Sequence, residues 1–267
     1  MTFEIAGMYL GVGLLAGVLS GLLGIGGGVV LVPMLIFCLA KQAALPEHIM
    51  HIALGTSLAS IIFTSVSSFM AHHKRGAVQW NIVKSIAPGI LTGTFFGSFI
   101  ASYLSTGFLK IFFCIFLYIV ATRMLMIKQE PQTVRNLPGT IGMFSVGSII
   151  GTVSALVGIG GGSLSVPFMT RCNIPAHKAI GTSAAIGFPI AISGAFGYIV
   201  NNLHISGLPA HSLGFVYLPA LAAIICGSVL TAPLGARLAH SLPVNHLKRI
   251  FSVFLYITAT RMIWGFF

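Results

Sequence analysis

Residues Gly24-Ile25-Gly26-Gly27-Gly28, GIGGG, interrupt 36 residues, 5–40, that carry no charged side chain. The same letters return at Gly158 to Gly162, inside the 35 chargeless residues 136–170. As one straight helix the first segment would run about 54 Å, against a hydrocarbon core of about 30 Å. Neither segment can be a single span. Glycine costs about 1 kcal/mol against alanine at each interior helix position. Four glycines in five residues therefore mark where the chain breaks its helix and turns back.

Composition fixes the surroundings of that turn. The chain has 267 residues, 56% hydrophobic and 6% charged, with a mean hydropathy of +1.00. A soluble domain needs about 25% charged residues to face water. Apolar segments recur at 5–40, 49–70, 82–104, 111–127, 139–170, 179–200, 214–239 and 250–267. Each approaches the ~20 residues of a spanning helix, not the ~10-residue alternation of a β-barrel. The N-terminus, with Glu4 as its only early charge, does not read as a cleaved signal. Cys38, Cys114, Cys172 and Cys226 are scattered and read as small buried hydrophobes.

The sequence repeats itself. GIGGGVVLVP (24–33) matches GIGGGSLSVP (158–167), HIALGTS (51–57) matches HKAIGTS (177–183), and LYIVATRM (117–124) matches LYITATRM (255–262). Basic residues near helix ends mark the cytoplasmic side. Lys74 and Arg75 follow the first GTS segment, whereas the loop after the second, NNLHISGLPAHSL, has neither lysine nor arginine. One loop later the bias reverses, from Lys110 alone to Arg237, Lys248 and Arg249. The expected fold is an all-α integral membrane bundle of two inverted-topology repeats. Each repeat has a glycine-broken re-entrant helical hairpin plus further spanning helices. Residues 1–127 form the first repeat, 128–138 a cytoplasmic linker and 139–267 the second, with both termini extracytoplasmic. Lys41, Lys110 and Arg261 are then the only basic residues outside.

Inverted repeats with broken helices are a transporter architecture. Irregular backbone at that depth must be buried in protein or line a cavity. Gly26, Gly27, Gly28, Gly160, Gly161 and Gly162 are therefore candidate substrate contacts, with structural hairpin packing as the competing reading. The motifs fit neither a dinucleotide fingerprint nor Walker A, since Val29 and Ser163 stand at the sixth position and no Gly-Lys-Ser/Thr follows. Gly55, Thr56, Ser57, Gly181, Thr182 and Ser183 form the second paired candidate set. Their alternative is ordinary packing, with hydroxyls bonded to their own helices.

The chain has no aspartate, and its three glutamates, Glu4, Glu47 and Glu130, fall in loops or at the terminus. A carboxylate relay for cations inside the membrane is therefore missing. Amides at broken-helix N-termini favour an anion instead. His51 and His177, each four residues before the glycine of a GTS motif, are candidates for a proton-linked role or for interfacial caps. Arg123 and Arg261 read as interfacial. No cofactor, metal or nucleic acid is expected. The expected partners are the lipid bilayer and a small anionic substrate, and the oligomeric state is left open.

The chain resembles the TauE/SafE sulfite-exporter family of membrane transporters over nearly its whole length. The resemblance rests on GLLGIGGGVVLVPML, HIALGTSLAS, ALVGIGGGSLSVPFM, HKAIGTSAA, LGFVYLPA and PLGARLA. It implies a multi-pass protein of the bacterial inner membrane that moves small sulfur-containing anions such as sulfite or organosulfonates, and no enzyme. A passive anion channel is the alternative. An intramembrane hydrolase using Ser183 is less suited, because the twin at Ser57 would be a second nucleophile.

Overall fold

The computed structural model describes residues 3–24, 26–41, 47–126, 136–205, 207–241 and 244–264. Of the expected linker, residues 128–135 lie outside these, as does Ile25 of the first glycine motif. The first five helices are α1 (Phe3–Leu23), α2 (Gly28–Lys41), α3 (Ile49–His73), α4 (Trp80–Tyr103) and α5 (Thr106–Met126). The next five are α6 (Thr140–Val157), α7 (Gly162–Arg171), α8 (Ala176–Val200), α9 (Leu218–Ser241) and α10 (Val244–Trp264). A small antiparallel hairpin, β1 (Ser212–Leu213) and β2 (Val216–Tyr217), precedes α9. Seven of the helices, α1, α3, α4, α5, α6, α8 and α9, are long and apolar enough to cross a bilayer. The chain is an all-α polytopic bundle of the membrane type, as its composition dictates. In hydrocarbon a helix satisfies its backbone within itself.

The helix order repeats: α1 to α5 are echoed by α6 to α10. Both chargeless segments fold as one long helix followed by a short one. The long members, α1 and α6, have 21 and 18 residues. The short ones, α2 and α7, have 14 and 10 residues, about 21 and 15 Å.

Packing between the halves is reciprocal. Gly13, Gly17 and Gly21 of α1 lie against Ile224, Ser228 and Ala232 of α9, so these helices run parallel. Gly89, Gly93 and Gly97 of α4 lie likewise against Phe144, Ser148 and Thr152 of α6. In both seams a Cβ on the glycine would press into the facing backbone. Glycine at every fourth position allows this approach, and dispersion between close backbones holds helices together where lipid removes the hydrophobic drive.

Matching helices run in opposite directions. In the α3–α8 pair, Gly55 meets Tyr198, Leu58 meets Gly194 and Ser65 meets Gly187. In the α5–α10 pair, the Tyr118 and Thr260 hydroxyls are 2.8 Å apart and those of Thr122 and Tyr256 2.6 Å. The α3–α8 pair is the centre of the molecule. Its spans are 83% and 67% buried, against 33–44% for the other five. Around it, Phe96, Ile115, Ile149 and Leu230 point outward from α4, α5, α6 and α9, as lipid-facing side chains do.

Candidate functional site

The glycine motifs end α1 and α6 by the same device. Gly24 and Gly158 take left-handed φ values of +66° and +70°, conformations that glycine adopts without penalty. Their N–H groups donate to the carbonyls of Ser20 and Ser154 at 2.9 and 2.8 Å. The chain then doubles back through Gly27 (φ +77°) and Gly161 (φ +75°), which lie beside Ala16 and Ile150 of the helices just left.

The two turns meet. A Cβ on Gly26 would stand 3.0 Å from Ile61 and 3.1 Å from the Gly160 Cα, and one on Gly187 would stand 3.3 Å from the Gly160 oxygen. Ile61 and Gly187 lie near the midpoints of α3 and α8, so α2 and α7 both begin halfway along the central pair. Gly28, the first residue of α2, packs on Gly158 and Ile159 of the other half. Two helix N-termini, each carrying roughly half a positive charge, are thereby brought to the middle of the bundle. The glycines 26–28 and 160–162 are all buried there.

The GTS segments clamp this crossing. Ser57 Oγ donates to the Gly158 carbonyl at 2.8 Å, and Ser183 Oγ donates to the Gly24 carbonyl at 3.0 Å. Each serine thus holds the turn of the opposite half. The threonines beside them act on the next connection: Thr56 Oγ1 accepts from the Tyr217 N–H at 2.9 Å, and Thr182 Oγ1 accepts from the Gln79 N–H at 3.0 Å. Gly55 and Gly181 admit the chain itself, lying against the backbone of Phe215 and Ala77. The four hydroxyls are fully buried. Their partners are backbone of other segments, with the Ser165 hydroxyl also donating to Ser183, and not the i−4 carbonyls of their own helices.

The histidines part company. His51 is buried, with Nε2 3.0 Å from both the Ala101 and Leu104 carbonyls, its ring stacked on Phe215. Two carbonyl acceptors require the proton on Nε2. His51 borders a cavity of about 460 Å³ lined by Glu47, His48 and the α4–α5 connection. This cavity lies at the end of the bundle, away from the glycine turns. His177 is exposed in the first turn of α8 and has no part in the crossing. Among the described residues, no three His, Cys, Asp or Glu side chains are grouped to hold a metal.

Reading the sequence from Gly24 and Gly158 onward misses two buried serines just upstream. Ser20 and Ser154 each stand four residues before the first glycine, in GVLSGLLGIGGG and GTVSALVGIGGG. Extending the internal match backwards by one helical turn would have found them.

The sulfite exporter TauE/SafE family model matches residues 9–262. A probable membrane transporter protein of Haemophilus influenzae is 40% identical over 252 residues, covering 94% of this chain and 95% of the relative. Probable membrane transporter proteins of Bacillus subtilis and Methanocaldococcus jannaschii are 26% and 27% identical, each over 94% of this chain and 95% and 93% of their own. No solved structure matches. The chain belongs to the sulfite exporter TauE/SafE family.

Proposed function

We propose that this protein transports small anions across the inner membrane, sulfite or an organosulfonate first among them, through the place where the two glycine turns cross. One observation carries the reading: two half-helices start in the middle of the bundle, in a chain without aspartate and with no buried glutamate among the described residues. Helix N-termini attract anions through their dipole and their unsatisfied amides. In transporters built from broken helices, such ends face anionic substrate groups. The backbone of Gly26 to Gly28 and of Gly160 to Gly162 is the proposed contact surface. Thr56, Ser57, Thr182 and Ser183, beside Gly55 and Gly181, set the turns and release them as the anion passes. His51, at the cavity at the end of the bundle, is the proposed proton-linked residue of the histidine pair. The exposed position of His177 suits an interfacial cap.

The decisive experiment is anion flux into proteoliposomes holding the purified full chain, with and without a pH gradient. Sulfite uptake above that of empty liposomes, accelerated by the gradient, is the expected result. Flux equal to empty liposomes for sulfite, taurine and sulfate alike would end the reading.

The reading also fixes a topology. The antiparallel run of α3 against α8 and of α5 against α10 supports halves inserted in opposite senses, and the basic residues Lys74, Arg75, Arg237, Lys248 and Arg249 favour both termini outside. A reporter fused after Phe267 is expected on the extracytoplasmic side and one inserted at Gln132 in the cytoplasm. Both on one side would remove the inverted arrangement.

A further inference from the structure

Two buried hydroxyls beneath the turns have no hydrogen-bond partner: Ser20 Oγ and Ser154 Oγ. Ser20 is 1% and Ser154 0% exposed. They occupy the same position of the two halves, one helical turn before the glycine motif. A buried polar group left unsatisfied is costly, and alanine would fill either position without that cost. One such serine is unremarkable, but its recurrence at the equivalent position of the second half asks for a partner that comes and goes.

The geometry around Ser154 says what that partner touches. A Cβ on Gly161 would stand 3.4 Å from Ser154 Oγ, and Gly161 is the residue that opens α7. The hydroxyl is therefore set against the N-terminus of a ten-residue helix. The amides of Leu164 and Ser165 already bond the Gly161 carbonyl, and those of Gly162 and Ser163 have no carbonyl within the helix to bond. Two further buried oxygens without partners lie close by in the fold. Ser163 Oγ belongs to the first turn of α7. Thr94 Oγ1 on α4 lies beside Gly151, one turn along α6 from Ser154. Donor hydroxyls beside helix-opening amides, with no carboxylate among them, match an oxyanion rather than a cation or a neutral solute.

We propose that Ser154, with the opening amides of α7, binds one small sulfur or phosphorus oxyanion, with Ser20 as its counterpart in the first half. The proposal rests on the transport reading for its direction but names a site that can be measured without transport. The second-half site is the stronger of the two, because Ser163 has Val29 as its counterpart and the first-half site lacks that hydroxyl.

The test uses the purified full-length protein and equilibrium binding of sulfite, sulfate and inorganic phosphate at constant ionic strength. Thermal unfolding is recorded with and without each anion. Ser154→Ala is expected to weaken binding of the preferred anion roughly 10- to 100-fold, the loss of one hydrogen bond to a charged group. Ser20→Ala is expected to weaken it less. Neither variant is expected to unfold earlier than wild type without ligand, since each removes an unsatisfied group. Ser145→Ala, on the outer face of α6 with its hydroxyl bonded to the Ile141 carbonyl, is the control expected to bind normally. Unchanged affinity in Ser154→Ala, with higher intrinsic stability, would overturn the proposal and leave an unused hydroxyl. Absence of binding by any of the three anions to wild type would overturn it too. Ser154-dependent binding of phosphate, with no sulfite binding or flux, would uphold the site and sink the sulfite reading instead.

Discussion

Gly28→Ala is expected to yield almost no folded protein, while Gly161→Ala is expected to fold and to transport poorly. Gly28 has no need of an unusual φ; its constraint is the space around it. A Cβ there would overlap the Gly158 carbonyl oxygen and stand 2.8 Å from the Ile159 Cα. Both are backbone of the opposite half, so neither can give way without parting the two turns. Overpacking a core costs about 1–3 kcal/mol when side chains can adjust. Here backbone must move, and the Ser57 bond to the Gly158 carbonyl moves with it. At Gly161 the two penalties differ in kind. Its φ of +75° charges any side chain roughly 1–2 kcal/mol. Its nearest obstacle is the Cδ1 atom of Ile190, the far end of a flexible side chain. Gly27→Ala falls on the severe side, because its φ of +77° is joined by the Ala16 backbone oxygen at 2.7 Å. Yield of monodisperse protein and thermal midpoint, beside flux per folded molecule, check the set. Wild-type yield and stability for Gly28→Ala would show that the turns do not pack on one another.

The second large effect is expected from Ser57→Ala and Ser183→Ala. Each removes the donor to a buried carbonyl, which then lies far from water. A loss of about 1–3 kcal/mol of stability follows for each. Ser183→Ala should be the worse, because Ser165 Oγ donates to the Ser183 hydroxyl at 2.8 Å and loses its acceptor as well. The two clamps hold one crossing, so the double variant is expected to depart from additivity. Chemical or thermal unfolding of the two single variants and the double measures this directly. Normal stability with lost sulfite flux would show the opposite assignment, hydroxyls that act on the substrate and not on the turns.

Much of this molecule is legible in its letters, because the bilayer leaves few choices. A chain with 6% charged residues cannot face water. A chargeless segment of 36 residues cannot span once. Four glycines in five residues show where it breaks. Those facts dictate a helical membrane bundle with paired hairpins, and the repeated motifs place the family. Three things needed the tertiary structure. The GTS hydroxyls reach across to the other half, a pairing between residues about 100 or more apart that no local pattern encodes. The twin glycines are unequal, because Gly27 faces the Ala16 backbone and Gly161 faces a side-chain tip. Ser20 and Ser154 look like ordinary helix serines until packing leaves them without partners. The physical reason is common to all three. Hydropathy and helix breaking are properties of a segment, set by solvent and backbone alone. Who satisfies a buried oxygen, and what stands one ångström beyond a missing side chain, is decided only when the two halves are brought together.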